Sequence, residues 1–253
     1  MHARYLLWPA FFIGQFLSCG FLAWHLLAQV DFAYPQAYEL LNIDRHIEEF
    51  GPQNRYRRGF ADTDKQAHLS LFGQINDAIH HKPEALADIR FAPDGGKTQT
   101  LLREPEVVHL QDVARLINGV YTLGWFSLGL TALTMGALLW RRGPLPRPLR
   151  VLTGVVGALS LLIAAVFVIG PKRVFYTLHT WVFPPEHPWF FYYQDSLMTT
   201  LMKAPDLFGF IAIILLSLWL LLWSISLWLF VRLWRVIPFH HTRKSNDYSA
   251  RAD

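Results

Sequence analysis

Four apolar runs constrain this chain more than any other feature. Each is long enough to supply the roughly 20 helical residues that cross a bilayer core. They are "YLLWPAFFIGQFLSCGFLAWHLLA" (Tyr5 to Ala28), "LINGVYTLGWFSLGLTALTMGALLW" (ending at Trp140), "VLTGVVGALSLLIAAVFVIG" (Val151 to Gly170) and a stretch from Leu207 to about Val236. Lipid offers backbone groups no hydrogen-bond partner, so segments of this kind are helical. The composition agrees: 17% of residues are charged and 53% hydrophobic, whereas soluble domains carry roughly a quarter charged residues.

The basic residues fix an orientation. "RRGPLPRPLR" lies between the second and third runs, and "RVIPFHHTRKSNDYSARAD" follows the fourth. By the positive-inside rule both face the cytoplasm, together with the N-terminus. The expected order is a first transmembrane helix (1–28), an extracytoplasmic cap (29–114), a second helix (115–140) and a cytoplasmic loop (141–150). A third helix (151–170), an outer loop (171–205), a fourth helix (206–236) and a cytoplasmic tail (237–253) complete it. The fold class is an all-α membrane protein of four transmembrane helices with a small α+β cap. A net charge of +4 clustered beside apolar runs reads as a topology signal, so no nucleic-acid partner is expected. The single cysteine, Cys19, excludes an internal disulfide and a cysteine-cluster metal site. "FLSC" has the look of a lipoprotein signal. The apolar run continues to Ala28, however, and Phe16 is a poor match to the usual Leu, so the segment reads as an uncleaved anchor.

The cap shows its own order. "TDKQ", Thr63 to Gln66, fits a capping box, and Leu71, Phe72, Ile75 and Ile79 follow at helical spacing, with Pro83 beyond the end. "IRFAPDGGKTQTLL" alternates around Asp94-Gly95-Gly96 and predicts a small hairpin.

Polar groups gather at the outer face. His109 and Asp112 open the second span and, three apart, share a helix face. The carboxylate could fix the imidazole tautomer, or merely cap a helix beginning there. His179 follows the third span in "YTLHTWVFPPEHPWFFYYQDSLM", which adds Glu186, His187, Asp195 and aromatics suited to headgroup depth: Trp181, Trp189, Tyr192 and Tyr193. Pro184, Pro185 and Pro188 exclude a regular helix there. His187 reads as a surface-loop histidine; His25 and His240-His241 look less functional still. On composition and spacing alone, an interfacial hydrogen-bonding role serves His109 and His179 equally well.

"HLQDV" at His109–Val113, followed about 70 residues later by "LHTWVF" at Leu178–Phe183, resembles the DUF1461 family of four-span membrane proteins, which includes the lipoprotein intramolecular transacylases, Lit. The family pattern is His-x-x-Asp-Val at the start of the second span and a second histidine after the third. A tryptophan-rich stretch, an acidic residue and a proline then precede the fourth. Trp189, Asp195 and Pro205 suit it; Leu178 stands where Phe is common, and the outer segment matches in outline only, "NRYRRGF" (Asn54 to Phe60) best. The resemblance implies transfer of the sn-2 acyl chain of a diacylglyceryl-cysteine lipoprotein to its own α-amino group, giving a lyso-form product in the bacterial cytoplasmic membrane. It implies His179 as general base, His109 as the orienting or charge-stabilising partner, the roles being exchangeable, and an acyl-imidazole intermediate as a variant. Asp112, holding His109, and Asp195 would support, and Trp181, Trp189 and Tyr192 would bind substrate. Neither metal nor other cofactor is implied. The expected partners are the diacylated lipoprotein and membrane lipid, with the chain a monomer. Two other classes stay open: a non-catalytic membrane assembly factor, and a small protein holding haem between two histidines.

Overall fold

The computed structural model describes residues 2–141 and 148–236. The basic loop at 142–147 and the tail beyond 236, with His240 and His241, lie outside the described residues. Three helices are long and apolar enough to span a membrane: α1 (His2–Ala28), α5 (Glu104–Arg141) and α9 (Asp206–Val236). α6 (Pro148–Ile169) and α7 (Pro171–Val182), which meet at 98°, are apolar enough to cross only when taken together, as a bent pair. The bend falls at Gly170, whose φ of 97° is open to glycine but strained for other residues, and Pro171 starts the new helix where its missing N–H costs nothing.

α1 is the axis of the bundle, with α5 and α9 packed along it. Small residues let the helices close in, as expected where lipid removes the hydrophobic drive between helices. Gly20 lies under the Trp219 ring and Gly124 under Phe21, each so close that a Cβ would fall within 3 Å of ring carbons. Short polar bonds join the same faces. Ser18 Oγ donates to Gly14 O at 2.7 Å and lies 3.2 Å from both Ser127 Oγ and Thr131 Oγ1. Gln15 donates to Ser226 at 2.9 Å, and Trp219 Nε1 to Phe16 O at 2.7 Å. α1 passes unbroken through Cys19, a buried packing residue.

The cap fills residues 31–103 with α2 (Tyr34–Leu40), α3 (Ile43–Phe50), α4 (Lys65–His81), short 3-10 turns and a hairpin of β1 (Arg90–Phe91) with β2 (Gln99–Thr100). The hairpin pairs antiparallel, Arg90 with Thr100 and Phe91 with Gln99, and turns at Pro93–Gly96. The helix after Thr63 begins one residue later than the capping-box pattern predicts. Asp64 is the N-cap, accepting from Ala67 N at 2.7 Å, because Thr63 is committed elsewhere. Its hydroxyl donates to Phe60 O at 2.6 Å and therefore accepts from His68 Nε2 at 2.8 Å. That leaves His68 Nδ1 to accept from the Tyr38 hydroxyl, also at 2.8 Å.

The cap core does not stop at the cap. Tyr34, Ile43, Ile47, Phe60, Leu71, Phe72 and Ile75 continue into Leu110 of α5, then into Phe191 and into Leu197 and Leu201 of α8 (Leu197–Met202). Tyr34 stacks on Phe72 with centroids 3.9 Å apart and donates its hydroxyl to Leu201 O at 2.6 Å. The segment after α7 is thus built on the cap, which brings it to the start of α5.

Candidate active site

One face of α5 carries several of the candidate residues. Glu106, His109 and Asp112 recur every three residues along it, all buried, and each engages the segment between α7 and α8. α5 runs unbroken from Glu104, so His109 and Asp112 stand in its interior and not at a helix start. The reading of Asp112 as a helix cap is thereby excluded.

Glu106 is fully buried. It accepts from Ser196 Oγ at 2.6 Å and from the Arg103 backbone N–H at 2.8 Å, with the Arg103 Nε at 3.4 Å from the same oxygen. His109, one turn on, has no polar partner for its buried Nδ1; its ring packs instead against Phe183 (4.8 Å between centroids) and Phe191 (6.2 Å). A buried polar nitrogen without a bond typically costs about 1–3 kcal/mol, and such atoms in native structures commonly mark functional positions.

Asp112 is not bonded to His109. Its Oδ2 accepts from His187 Nδ1 at 2.6 Å and its Oδ1 from Arg115. The expected Asp112–His109 pair is corrected by this geometry: residues three apart point the same way, but the carboxylate reaches past the imidazole's neighbours to the loop. The reading of His187 as a mere surface residue is corrected with it.

His179 lies in α7, so its immediate neighbourhood is helical; the proline-rich loop begins only after Val182. Its Nδ1 sits 2.8 Å from Phe175 O. A carbonyl can only accept, so Nδ1 carries the proton and Nε2 is left with a free lone pair. The ring is enclosed by Phe175 (3.9 Å), Trp189 (4.8 Å) and Phe183 (5.3 Å). Phe183 therefore touches both histidines, and a haem gripped between them would have to displace that ring. Of the remaining candidates, Trp189 belongs to this aromatic wall. Trp181 and Tyr192 are exposed, at 78% and 64%. Asp195 pairs with Arg55 at 3.1 Å, and Arg55 N also donates to Gln194 O at 2.9 Å, so "NRYRRGF" fastens the loop to the cap. No group of three or more metal-ligating side chains occurs among the described residues.

The segment holding every one of these candidates, residues 91–204, matches the family model of the lipoprotein intramolecular transacylase Lit. That segment is similar to the Lit family. It begins at the hairpin, takes in α5, α6 and α7, and ends just after α8. The fold is also that of a solved Lit. The membrane integral lipoprotein intramolecular transacylase Lit from Bacillus cereus superposes with a TM-score of 0.65 at 15% identity, over 92% of this chain and 96% of that one. A histidine-to-arginine mutant of the same protein gives 0.62 at 15% identity, over 92% and 91%. No curated protein matches the chain. The Lit segment and the apolar helices together make this a membrane protein.

Proposed function

We propose that this protein is a membrane acyltransferase of the Lit type, moving the sn-2 acyl chain of a diacylglyceryl-cysteine lipoprotein onto that lipoprotein's own α-amino group. The observation that carries the reading is the pair of imidazoles meeting across Phe183 inside the Lit segment, one with a free Nε2 and the other with an unpartnered buried nitrogen. His179 Nε2 takes a proton from the substrate's ammonium, and the freed amine attacks the ester carbonyl carbon. His109 stabilises the oxyanion or orients the ester, giving its buried nitrogen a partner only when substrate is present. Having released that first proton to solvent, His179 takes the second from the attacking nitrogen and returns it to the glyceryl oxygen as the tetrahedral species expels it. An N–C bond forms and an O–C bond breaks. The product is an isomer of the free-amine substrate, so one proton is released from the ammonium form, and neither water nor a co-substrate enters.

Because donor and acceptor sit on one molecule, holding them in place supplies much of the acceleration. Trp181 and Tyr192, exposed beside the site, suit contact with the lipid-anchored substrate, and Trp189 lines the His179 pocket. Asp195 acts at one remove, through Arg55. We further propose that the cap and the 171–205 segment face outward and that both termini are cytoplasmic, on the strength of the arginine-rich loop and tail. The experiment is conversion of a synthetic diacylated lipopeptide by purified protein, followed by tandem mass spectrometry. The expected result is an unchanged intact mass, loss of the free α-amine and an acyl group on the amino-terminal fragment. An unaltered lipopeptide would refute the assignment.

A further inference from the structure

The loop from Phe183 to Phe191 begins and ends against His109, and its middle is held to α5 by a polar bond. Phe183 follows α7 directly, its N–H donating to His179 O at 3.0 Å, and its ring leans on both imidazoles. The chain then turns at Pro184–His187, closed by His187 N to Pro184 O at 3.1 Å. Two consecutive prolines at the start of that turn leave little choice of direction. His187 is delivered onto Asp112, with Nδ1 2.6 Å from Oδ2. The chain returns through Trp189, against His179, to Phe191, against His109. Asp112 is nearly inaccessible, with 5% of its side chain exposed, and Arg115 occupies its other oxygen. A charge-assisted bond of this kind, buried on the carboxylate side, is roughly twice as strong as a neutral one and sets geometry as well as energy.

α7 leaves α6 at 98°, and its other contacts are aromatic, Phe175 with Phe208 of α9 at 6.5 Å and Tyr176 with Trp189 at 5.3 Å, so the loop's polar bond to α5 is what ties His179 to that helix. We propose that the Asp112–His187 bond is a clasp that sets Phe183 between the two histidines, making His187 a positioning residue for acyl transfer that works through its Nδ1. The proposal rests on the Lit-type reading of the site. The role asks nothing of the imidazole except a donor at one place: a hydrogen at Nδ1 pointing at Asp112. An asparagine presents an amide N–H near the position of Nδ1, whereas a glutamine reaches one bond further. The conservative rescue is therefore specific.

The test compares wild type with His187→Ala, His187→Asn and His187→Gln on the diacyl lipopeptide, with amide hydrogen exchange followed at residues 183–191. The expected result is a loss of about 10- to 100-fold in kcat for His187→Ala, the size a small misplacement of reacting groups produces, with KM within about threefold of wild type. Exchange of the loop amides should rise in the same variant. His187→Asn should restore both to within about threefold, and His187→Gln should not. Unchanged kcat in His187→Ala overturns the proposal. So does a His187→Asn variant with wild-type exchange and an activity as low as His187→Ala, which would make the imidazole itself a participant. If the wild type leaves the lipopeptide untouched, the transacylase reading falls and the clasp is judged by exchange alone. Faster exchange in His187→Ala that reverts in His187→Asn then upholds it, and equal exchange in all four proteins refutes it.

Discussion

His109 and His179 stand on different ground. His109 belongs to α5, pressed on one side by α1 and on the other by the cap core through Leu110, with Glu106 and Asp112 bonded above and below it. His179 belongs to a short helix beyond a sharp bend, on an arm whose preceding helix exposes most of its side chains. The first region is fixed by close glycine–aromatic contacts and buried polar bonds; the second by aromatic stacking and by the loop that follows it. A site shared between a rigid wall and a looser arm can admit a substrate carrying two acyl chains and still hold the reacting atoms once the arm is seated. The lesson is that the loop between α7 and α8, more than the membrane helices themselves, decides whether two imidazoles become one site.

The largest expected effect comes from removing either side of that comparison. His179→Ala and His109→Ala should each lower lipopeptide conversion by about two to four orders of magnitude, with thermal unfolding in detergent close to wild type. Normal turnover in either variant would take that residue out of the chemistry. Next comes the anchoring of the loop to the rigid wall. Ser196→Ala removes both the bond to buried Glu106 and the N-cap of α8, where Ser196 Oγ accepts from Thr199 N at 2.9 Å. Its expected cost is about 2–3 kcal/mol in unfolding free energy, readable as a lower melting temperature.

Packing should separate the two regions just as sharply. Gly124→Ala sets a methyl 2.3 Å from ring carbons of Phe21 and should cost about 1–3 kcal/mol. Gly157→Ala in α6 meets nothing within 4 Å and should change stability by no more than about 0.5 kcal/mol. Equal effects would mean that the arm is packed as tightly as the bundle.

The smallest effect is on the cap. Burial foremost, and then nearby Lys203, pushes His46 down from 6.5 to about 4. Between those two values the unfolded chain binds the proton and the folded one does not. The contribution is thus complete above 6.5 and is lost as pH falls toward 4. Melting temperature should fall from pH 7 to pH 4.5, and His46→Phe should flatten that slope; an unaltered slope would assign the acid sensitivity to other groups.

Much of this was legible in the chain. The apolar runs, the α4 periodicity and the Asp94-Gly95-Gly96 turn correspond to helices and a hairpin because each is a local pattern with a local cause. The bend at Gly170-Pro171 and the helix after it were missed: the expected span ends at Gly170 and 171–205 is expected as a loop, because the continuous apolar run masks a glycine followed by a proline that starts a helix. Thr63 misleads by one position because its hydroxyl is claimed by Phe60 and His68, partners that a capping pattern does not see. The polar core of the site was not legible. Glu106 looks like any acidic residue in the first turn of a helix, and its burial depends on Ser196, 90 residues away. His187 meets Asp112 across 75 residues, brought there by a loop without periodicity. Phe183 carries no polar signal, yet it is the side chain that both histidines touch.

The central claim is that the rigid wall and the arm make one site, and a double-mutant cycle tests it most directly. Turnover of the diacyl lipopeptide is measured for wild type, His109→Ala, His179→Ala and the double variant, at equal amounts of folded protein. Groups that act as a unit are strongly non-additive, so the double variant should lose no more than about tenfold beyond the worse single variant. A double variant whose loss is the product of the two single losses would contradict the account, since the two histidines would then be acting independently.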